Sequence, residues 1–433
     1  MTFAGDMPDP AARRTERLIL IALAAVQFTT IVDFMVVMPL GPQLMSALHI
    51  DPAKFGLVVA SYAFAAGVSG LIASSVVDRF DRRAAFVVLY AGFLVGTLLC
   101  ALAPNYLLLI AARVATGACG GVLGGMSMAI IGDVFPEHRR GRATSSLMSA
   151  FALASVAGVP LGLRLGAVYG WHTPFLALVI AGLPVLGLAA YALPPMSAHV
   201  GAVHARPLRT IIETFSVSNH LYAFALISLL MIGGFAVIPY ITTYFVANLG
   251  MDERSEIPWM YVAGGVLTLI GSPIIGRLAD RHGKLLVYRV IAPFSALMLV
   301  VISHLPAAHP AIAILAVGLL MVTNAGRMIA AMAMATSSVL PHRRGGFMSA
   351  NSSMQHIASG LGSYIGGLII TQQTPASPIA NYGLVGWFGC ATTLLTLWIA
   401  GRVRSVEAGP ADAEPLALDA AAEAAAPESL VGV

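Results

Sequence analysis

Twelve apolar runs follow one another along this chain, near residues 18–44, 55–77, 84–103, 106–132, 144–168, 173–193, 219–247, 257–279, 285–303, 311–339, 348–371 and 383–401. Each is close to the length a bilayer asks of a helix, about 20 residues for a hydrocarbon core of roughly 30 Å. The runs are continuous rather than alternating, which excludes a transmembrane β-barrel. Only 10% of the residues are charged and 58% are hydrophobic. A soluble domain carries about 25% charge, so this chain lacks the polar surface to stay in water. The reading is an all-α membrane protein with twelve transmembrane helices.

The runs fall into two sets of six. Residues 18–194 and 219–402 read as two six-helix bundles, joined by a polar linker at 195–218. Residues 1–17 read as a short polar lead, too polar for a cleavable signal peptide. Residues 403–433 are Ala-rich and acidic, and are expected to be disordered. Cys100, Cys119 and Cys390 all lie in apolar runs, with no disulfide framework and no metal spacing.

Lys and Arg set the orientation. Of the 24, nineteen fall at the two ends of the chain or in alternate loops, among them Arg79, Arg82, Arg139, Arg281, Lys284 and Arg344. The opposite loops hold Lys54 and Arg254, and three arginines (Arg113, Arg164 and Arg327) fall inside apolar runs. The positive-inside rule then puts both termini in the cytoplasm.

The halves repeat each other at an offset of 202–205 residues. Asp78-Arg79-Phe80-Asp81-Arg82-Arg83 after the second run is echoed by Asp280-Arg281-His282-Gly283-Lys284 after the eighth. Pro136-Glu137-His138-Arg139-Arg140-Gly141 is echoed by Pro341-His342-Arg343-Arg344-Gly345, and Gly158 and Gly162 by Gly362 and Gly366. Duplicated six-helix units are a transporter signature, with substrate bound where the repeats meet.

At these residues the chain resembles the major facilitator superfamily. Gly276 to Lys284 is similar to its loop motif, G-x-x-x-D-R-x-G-R/K, whereas the first copy has Ser74 and Asp81 where glycines are expected. Arg113 to Gly117, with Gly120 and Gly121, resembles the motif of proton-coupled members. Gly158-Val159-Pro160-Leu161-Gly162 resembles the antiporter motif of bacterial drug:proton exporters of the arabinose-efflux-like and chloramphenicol-resistance-like kind, with Val159 in place of the commoner Gly. The resemblance implies a gate of charge pairs at the cytoplasmic face, built from Asp78, Arg79, Arg82, Asp133, Asp280, Arg281 and Lys284. In it Asp78 would sit at the N-terminus of the eleventh helix, and Arg82 would pair with Asp133. The same loops are also read as plain topology signals, and the glycines with Pro160 as ordinary close packing.

Among the 20 acidic residues only Asp33 lies well inside a run. A carboxylate there costs roughly 2.5–3.5 kcal/mol on insertion scales, so it faces a bundle interior or a wet cavity. Gln27, Thr30 and Asp33 share one helix face. Burial works against the charged form, so Asp33 could take a proton from one side and release it on the other. The alternative is a permanent structural ion pair. At 1.5 Å per residue, Arg113 lies roughly 12 Å from the outer face and Asp33 roughly 22 Å from the inner one, a similar depth at which they could pair. The resemblance implies that Arg113 tunes proton release; otherwise it anchors two helices.

Arg327, with Asn324 one turn before it, could meet substrate or cap backbone carbonyls. His356 and Gln355 give the eleventh run a polar side, as a second proton site or as a hydrogen-bonded structural pair. Tyr240 and Tyr244 in the seventh run, with scattered methionines, would suit a cavity for lipophilic ligands, or plain core. Arg164 near a helix end reads as a snorkelling side chain.

The expected function is a proton-coupled secondary transporter of the bacterial inner membrane, exporting a drug, sugar or metabolite by alternating access. Importer or facilitator of the same fold is the alternative; a membrane-embedded enzyme or a sensor fits less well. The expected partners are a small-molecule substrate, protons and lipid, with the chain a monomer. No cofactor, metal or nucleic acid is indicated, and no Walker A motif points to ATP.

Overall fold

The computed structural model describes residues 10–76, 79–197, 214–307, 309–340, 344–374 and 377–406. Asp78, most of the linker and the acidic tail lie outside these. Twelve long helices carry the described chain: α1 (Pro10–Val36), α2 (Pro52–Val76), α3 (Arg82–Ala101), α4 (Tyr106–Val134), α5 (Glu137–Leu153 continued by Val159–Tyr169) and α6 (Thr173–Ala192) in the first half. The second half has α7 (Ser218–Val237 continued by Ile241–Leu249), α8 (Ile257–His282), α9 (Lys284–Ser303), α10 (Pro310–Ser337), α11 (Arg344–Ile369) and α12 (Tyr382–Ala400). Eleven are long and apolar enough to cross a membrane. The exception is α11, where Asn351, Ser352, Ser353, Gln355 and His356 dilute a 26-residue helix.

The first run is not one helix. It breaks after Val36 and resumes as a short helix, Gly41–Leu48, because Pro39, inside the break, cannot continue a hydrogen-bond ladder and disfavours helix in the residue before it. The repeat breaks at the same place: α7 narrows to a 3₁₀ turn at Ile238–Tyr240, around Pro239. In α5 the turn Ala154–Gly158 is a π-turn, with the Val159 amide reaching back five residues to the Ala154 carbonyl. Pro160, which has no N–H to give Val156, follows directly.

The duplication shows in the packing. A Cβ on Gly158 or Gly162 would fall 2.3 Å from a Val32 methyl and 2.7 Å from a Val36 methyl, so these glycines bring α5 onto α1. A Cβ on Gly362 or Gly366 would fall 2.4 Å from the Ile232 carbonyl and 2.2 Å from that of Ala236, so their repeats bring α11 onto α7.

The two loop motifs turn by different chemistry. Gly283 has φ +92°, which only glycine adopts without strain, and it separates α8 from α9. In the first copy Asp81 stands there with ordinary dihedrals and caps α3, accepting from the amides of Ala84 (2.9 Å) and Met196 (2.6 Å). The Ala84 amide above all, then the Met196 amide and the Arg83 charge, hold its carboxyl below the usual 3.8 against a smaller effect of burial. A depressed folded-state pKa gives stability that is whole at neutral pH and is lost as pH falls through it. Asp81→Ala should therefore cost about 1 kcal/mol near pH 7, a typical cap. That deficit should shrink, in unfolding experiments run against pH, as the pH falls through the lowered titration of this carboxyl.

Three buried apolar clusters show how the halves meet. The largest joins both halves at one end, through Val36, Leu40, Phe55, Tyr240, Phe245 and Tyr382. At the end that bears the arginine-rich loops there are two clusters, one per half: Ile19, Tyr90, Phe93 and Ile130 in the first, Phe224, Ile227, Tyr288 and Phe347 in the second. The halves thus share a core at one end and keep separate cores at the basic end.

Candidate proton and substrate site

Asp33 projects from α1 into the first bundle, not into open space. Arg113 of α4 donates from Nη1 to its Oδ2 at 2.7 Å, and Thr97 of α3 donates to Oδ1 at 3.2 Å. Both charged side chains are 0% exposed. The guanidinium lies over the Tyr62 ring of α2 at 4.4 Å, and its Nε and Nη2 have no hydrogen-bond partner. Glycines make this possible: a Cβ on Gly117, one turn after Arg113, would fall 2.3 Å from the Tyr62 carbonyl, and one on Gly121 2.5 Å from Ala66 Cα. The motif around Arg113 is therefore a way to press α4 against α2. The arrangement stores a charge pair whose acid has one cation, one hydroxyl and no water-exposed surface.

Phe34, next in sequence to Asp33, points the other way. Its ring lies 5.2 Å from Tyr62, 5.9 Å from Phe235 of α7 and, edge-on, 6.4 Å from His356 of α11. Tyr62 thus touches the ion pair on one side and, through Phe34, the other half of the protein. Neither residue carries a sequence signal beyond its neighbours: Tyr62 reads as apolar filler, and only its place opposite the Arg113 glycines could have singled it out. Thr97 was equally silent.

The other expected site residues divide. Gln27 is half-buried beside Gly124, while Thr30 is buried and donates to the Gln27 carbonyl. Half-buried His356 and Gln355 sit at the junction of the halves, Gln355 3.8 Å from the Met332 sulfur. Asn324 and Arg327 turn into the second bundle instead: Asn324 accepts from Ser295 (2.9 Å), and Arg327 donates to Thr393 (2.6 Å). Tyr244 donates to the Leu305 carbonyl and packs on Tyr382. Tyr240 is wholly buried at the shared core, donating to the Ser363 carbonyl at 2.6 Å. It joins the two halves, because the 3₁₀ turn at Pro239 aims it at α2 and α11. Arg164 is exposed.

Hydrogen bonds between the halves gather at the same sealed end, from Gln43 to Glu253 (3.0 Å) and from Arg254 to the Ala167 carbonyl (3.1 Å). At the basic end, among the described residues, the ion pairs seen lie within the first half: Arg82 with Asp133, and Arg139 with Glu16. Arg79, Asp280 and Arg281 are exposed, and Lys284 donates to the Ala333 carbonyl at 3.2 Å. Asp78, expected in the same gate, lies outside the described residues.

Two helical bundles that share a core at one end, with buried charge between their helices, define a multi-pass membrane transporter. The profile of the Major Facilitator Superfamily matches residues 23–363 and again 253–429, and the chain belongs to that superfamily. Its fold is similar to that of a D-xylose-proton symporter, with a TM-score of 0.73 at 15% identity over 90% of this chain and 99% of that one. It is also similar to the xylose transporter XylE from E. coli in an inward open conformation, with a TM-score of 0.71 at 16% identity over 93% and 99%. A bacterial homolog of the human lysosomal transporter Spinster, inward-facing and unoccupied, gives a TM-score of 0.68 at 14% identity over 92% and 96%. At these identities the likeness is one of fold.

Proposed function

We propose that the protein is a proton-coupled exporter of the bacterial inner membrane, with both termini cytoplasmic, and that its described state faces inward. The observation that carries the proton reading is the Asp33–Arg113 pair with Thr97, where Asp33 is the one acid buried among the described residues. The inward-facing reading rests on the shared core at one end and the separate cores at the basic end. Residues 18–194 and 219–402 act as the two rocking bodies. A proton reaching Asp33 from outside would neutralise it and release Arg113 from its partner. Arg113 would then rest on Tyr62, and Phe34 would pass the change to Phe235 and His356 across the interface. Substrate entering from the cytoplasm beside Gln27, Gln355 and His356 would favour the deprotonated state, so that both ligands bias one equilibrium. Arg82, Asp133, Asp280, Arg281 and Lys284 would hold the cytoplasmic end closed in the opposite state.

The test uses purified protein in proteoliposomes loaded with a pH-sensitive dye, under an imposed proton gradient, with lipophilic cations, amphenicols, xylose and arabinose added in turn. Proton release triggered by one compound class and absent in Asp33→Asn is the expected result. Substrate movement that ignores the gradient and survives Asp33→Asn would leave a facilitator, and uptake with the gradient would leave an importer.

A further inference from the structure

The two bundles each bury an arginine, but only one supplies the anion. In the first half Arg113 has Asp33. In the second, Arg327 is 3% exposed, and the one hydrogen bond seen from it goes to a neutral hydroxyl, Thr393 Oγ1, at 2.6 Å. Thr393 in turn donates to the Gly389 carbonyl, so it meets the guanidinium as an acceptor. Among the described residues, no acid of the chain's second half is placed to help. Between Glu256 and Glu407 the sequence holds a single acidic residue, Asp280, which is exposed at the basic end of α8. None lies between Glu213 and Asp252, which brackets α7.

The surroundings are built to admit the charge. Gly234 of α7 clears the way, since a Cβ there would fall 3.2 Å from Arg327 Nη2. Around it stand neutral hydroxyls: Tyr288 of α9 bonds to Thr396 of α12, one turn from Thr393, and Ser295 bonds to Asn324, one turn from Arg327. A guanidinium offers five N–H donors and does not lose its proton in proteins. A buried charge of this kind is paired or its cost is severe.

We infer that the free side of the Arg327 guanidinium, between α7, α9, α10 and α12, is a binding site for a small anionic group, either a free halide or the carboxylate of a transported molecule. The guanidinium supplies the charge, with its N–H groups not used on Thr393 as donors. The bundle takes from solution the anion that its partner bundle carries as Asp33.

The experiment is thermal unfolding of the purified chain, with sodium isethionate, which has neither halide nor carboxylate, replaced stepwise by sodium chloride, or by sodium benzoate, at constant ionic strength. A ligand at about 100 times its Kd raises the unfolding temperature by a few degrees in a chain of this size. We expect a saturable rise of roughly that size with chloride or benzoate, absent in Arg327→Gln and needing about ten times more anion in Thr393→Val. Chloride alone acting would assign a free ion; benzoate acting, and displacing chloride, would assign a substrate carboxylate. Asp33→Asn should keep the anion effect, which separates this inference from the proton reading. The inference is overturned if neither anion differs from isethionate, or if the rise persists in Arg327→Gln. Should Arg327→Gln fail to fold, an unchanged midpoint in Thr393→Val overturns it instead.

Discussion

Asp33→Ala or Arg113→Ala alone should destabilise the protein by about 3–5 kcal/mol, and removing the charge from both together should cost far less. The reason lies in the burial. Both side chains are fully enclosed, so a survivor has neither its partner nor water. Arg113 is the harsher survivor, because two of its nitrogens already lack a partner and Tyr62 offers only a ring face. The double variant Asp33→Asn/Arg113→Gln keeps volume and hydrogen-bonding capacity without a charge to strand. Unfolding of the four proteins in mixed micelles gives the coupling between the sites, expected to be several kcal/mol. The same double variant should regain stability without regaining proton exchange. Single variants within about 1 kcal/mol of the parent would mean that water reaches the pair, and would remove the basis for treating it as a shielded proton site.

Gly56→Val should push the protein out of the sealed state. A Cβ at Gly56 would lie 2.3 Å from Tyr240 Oη and 2.7 Å from the Ser363 carbonyl, where α2, α7 and α11 meet. Overpacking of a tight contact costs typically 1–3 kcal/mol. That is a factor of roughly 5–150 between two conformations that differ in whether the contact exists. Fold stability should change little, since the clash lies between the halves rather than inside either one. Spin labels on cysteines placed at positions 43 and 253, whose side chains bond in the sealed state, report the opening directly. A longer distance population in Gly56→Val is the expected result. An unchanged distribution would mean that Tyr240 simply swings aside, and that the contact does not hold the seal.

Much of this was legible in the sequence, because a bilayer imposes length and charge rules that leave few choices. The twelve runs, the two halves and the depth match of Asp33 with Arg113 all follow from counting residues at 1.5 Å each. What counting does not give is rotation about a helix axis. Arg327 and Asn324 could have faced the junction of the halves, and instead face α9 and α12. Tyr240 looked like a cavity residue and is part of a seal, because a 3₁₀ turn in front of it resets its direction. Tyr62 and Phe34 were invisible for a related reason: an aromatic in an apolar run has no partner until the neighbouring helix is in place. Asp81 was legible only as a departure from a motif, and its role as a cap needed the Met196 amide, far off in sequence.

Because Pro160 leaves the Val156 carbonyl without its usual amide, α5 is jointed near its middle. The piece beyond the joint is keyed to α1 by glycines set against Val32, Val36 and Leu40, one turn apart. The piece before it, Glu137–Leu153, carries the arginines of the basic end. A bend at that elbow moves those arginines while the wall beside Asp33 stays still. Opening at the cytoplasmic surface and protonation at the centre then need not happen in a single stroke: small, fast flexing of one arm can sample partners while the slower rocking of whole bundles waits on the proton.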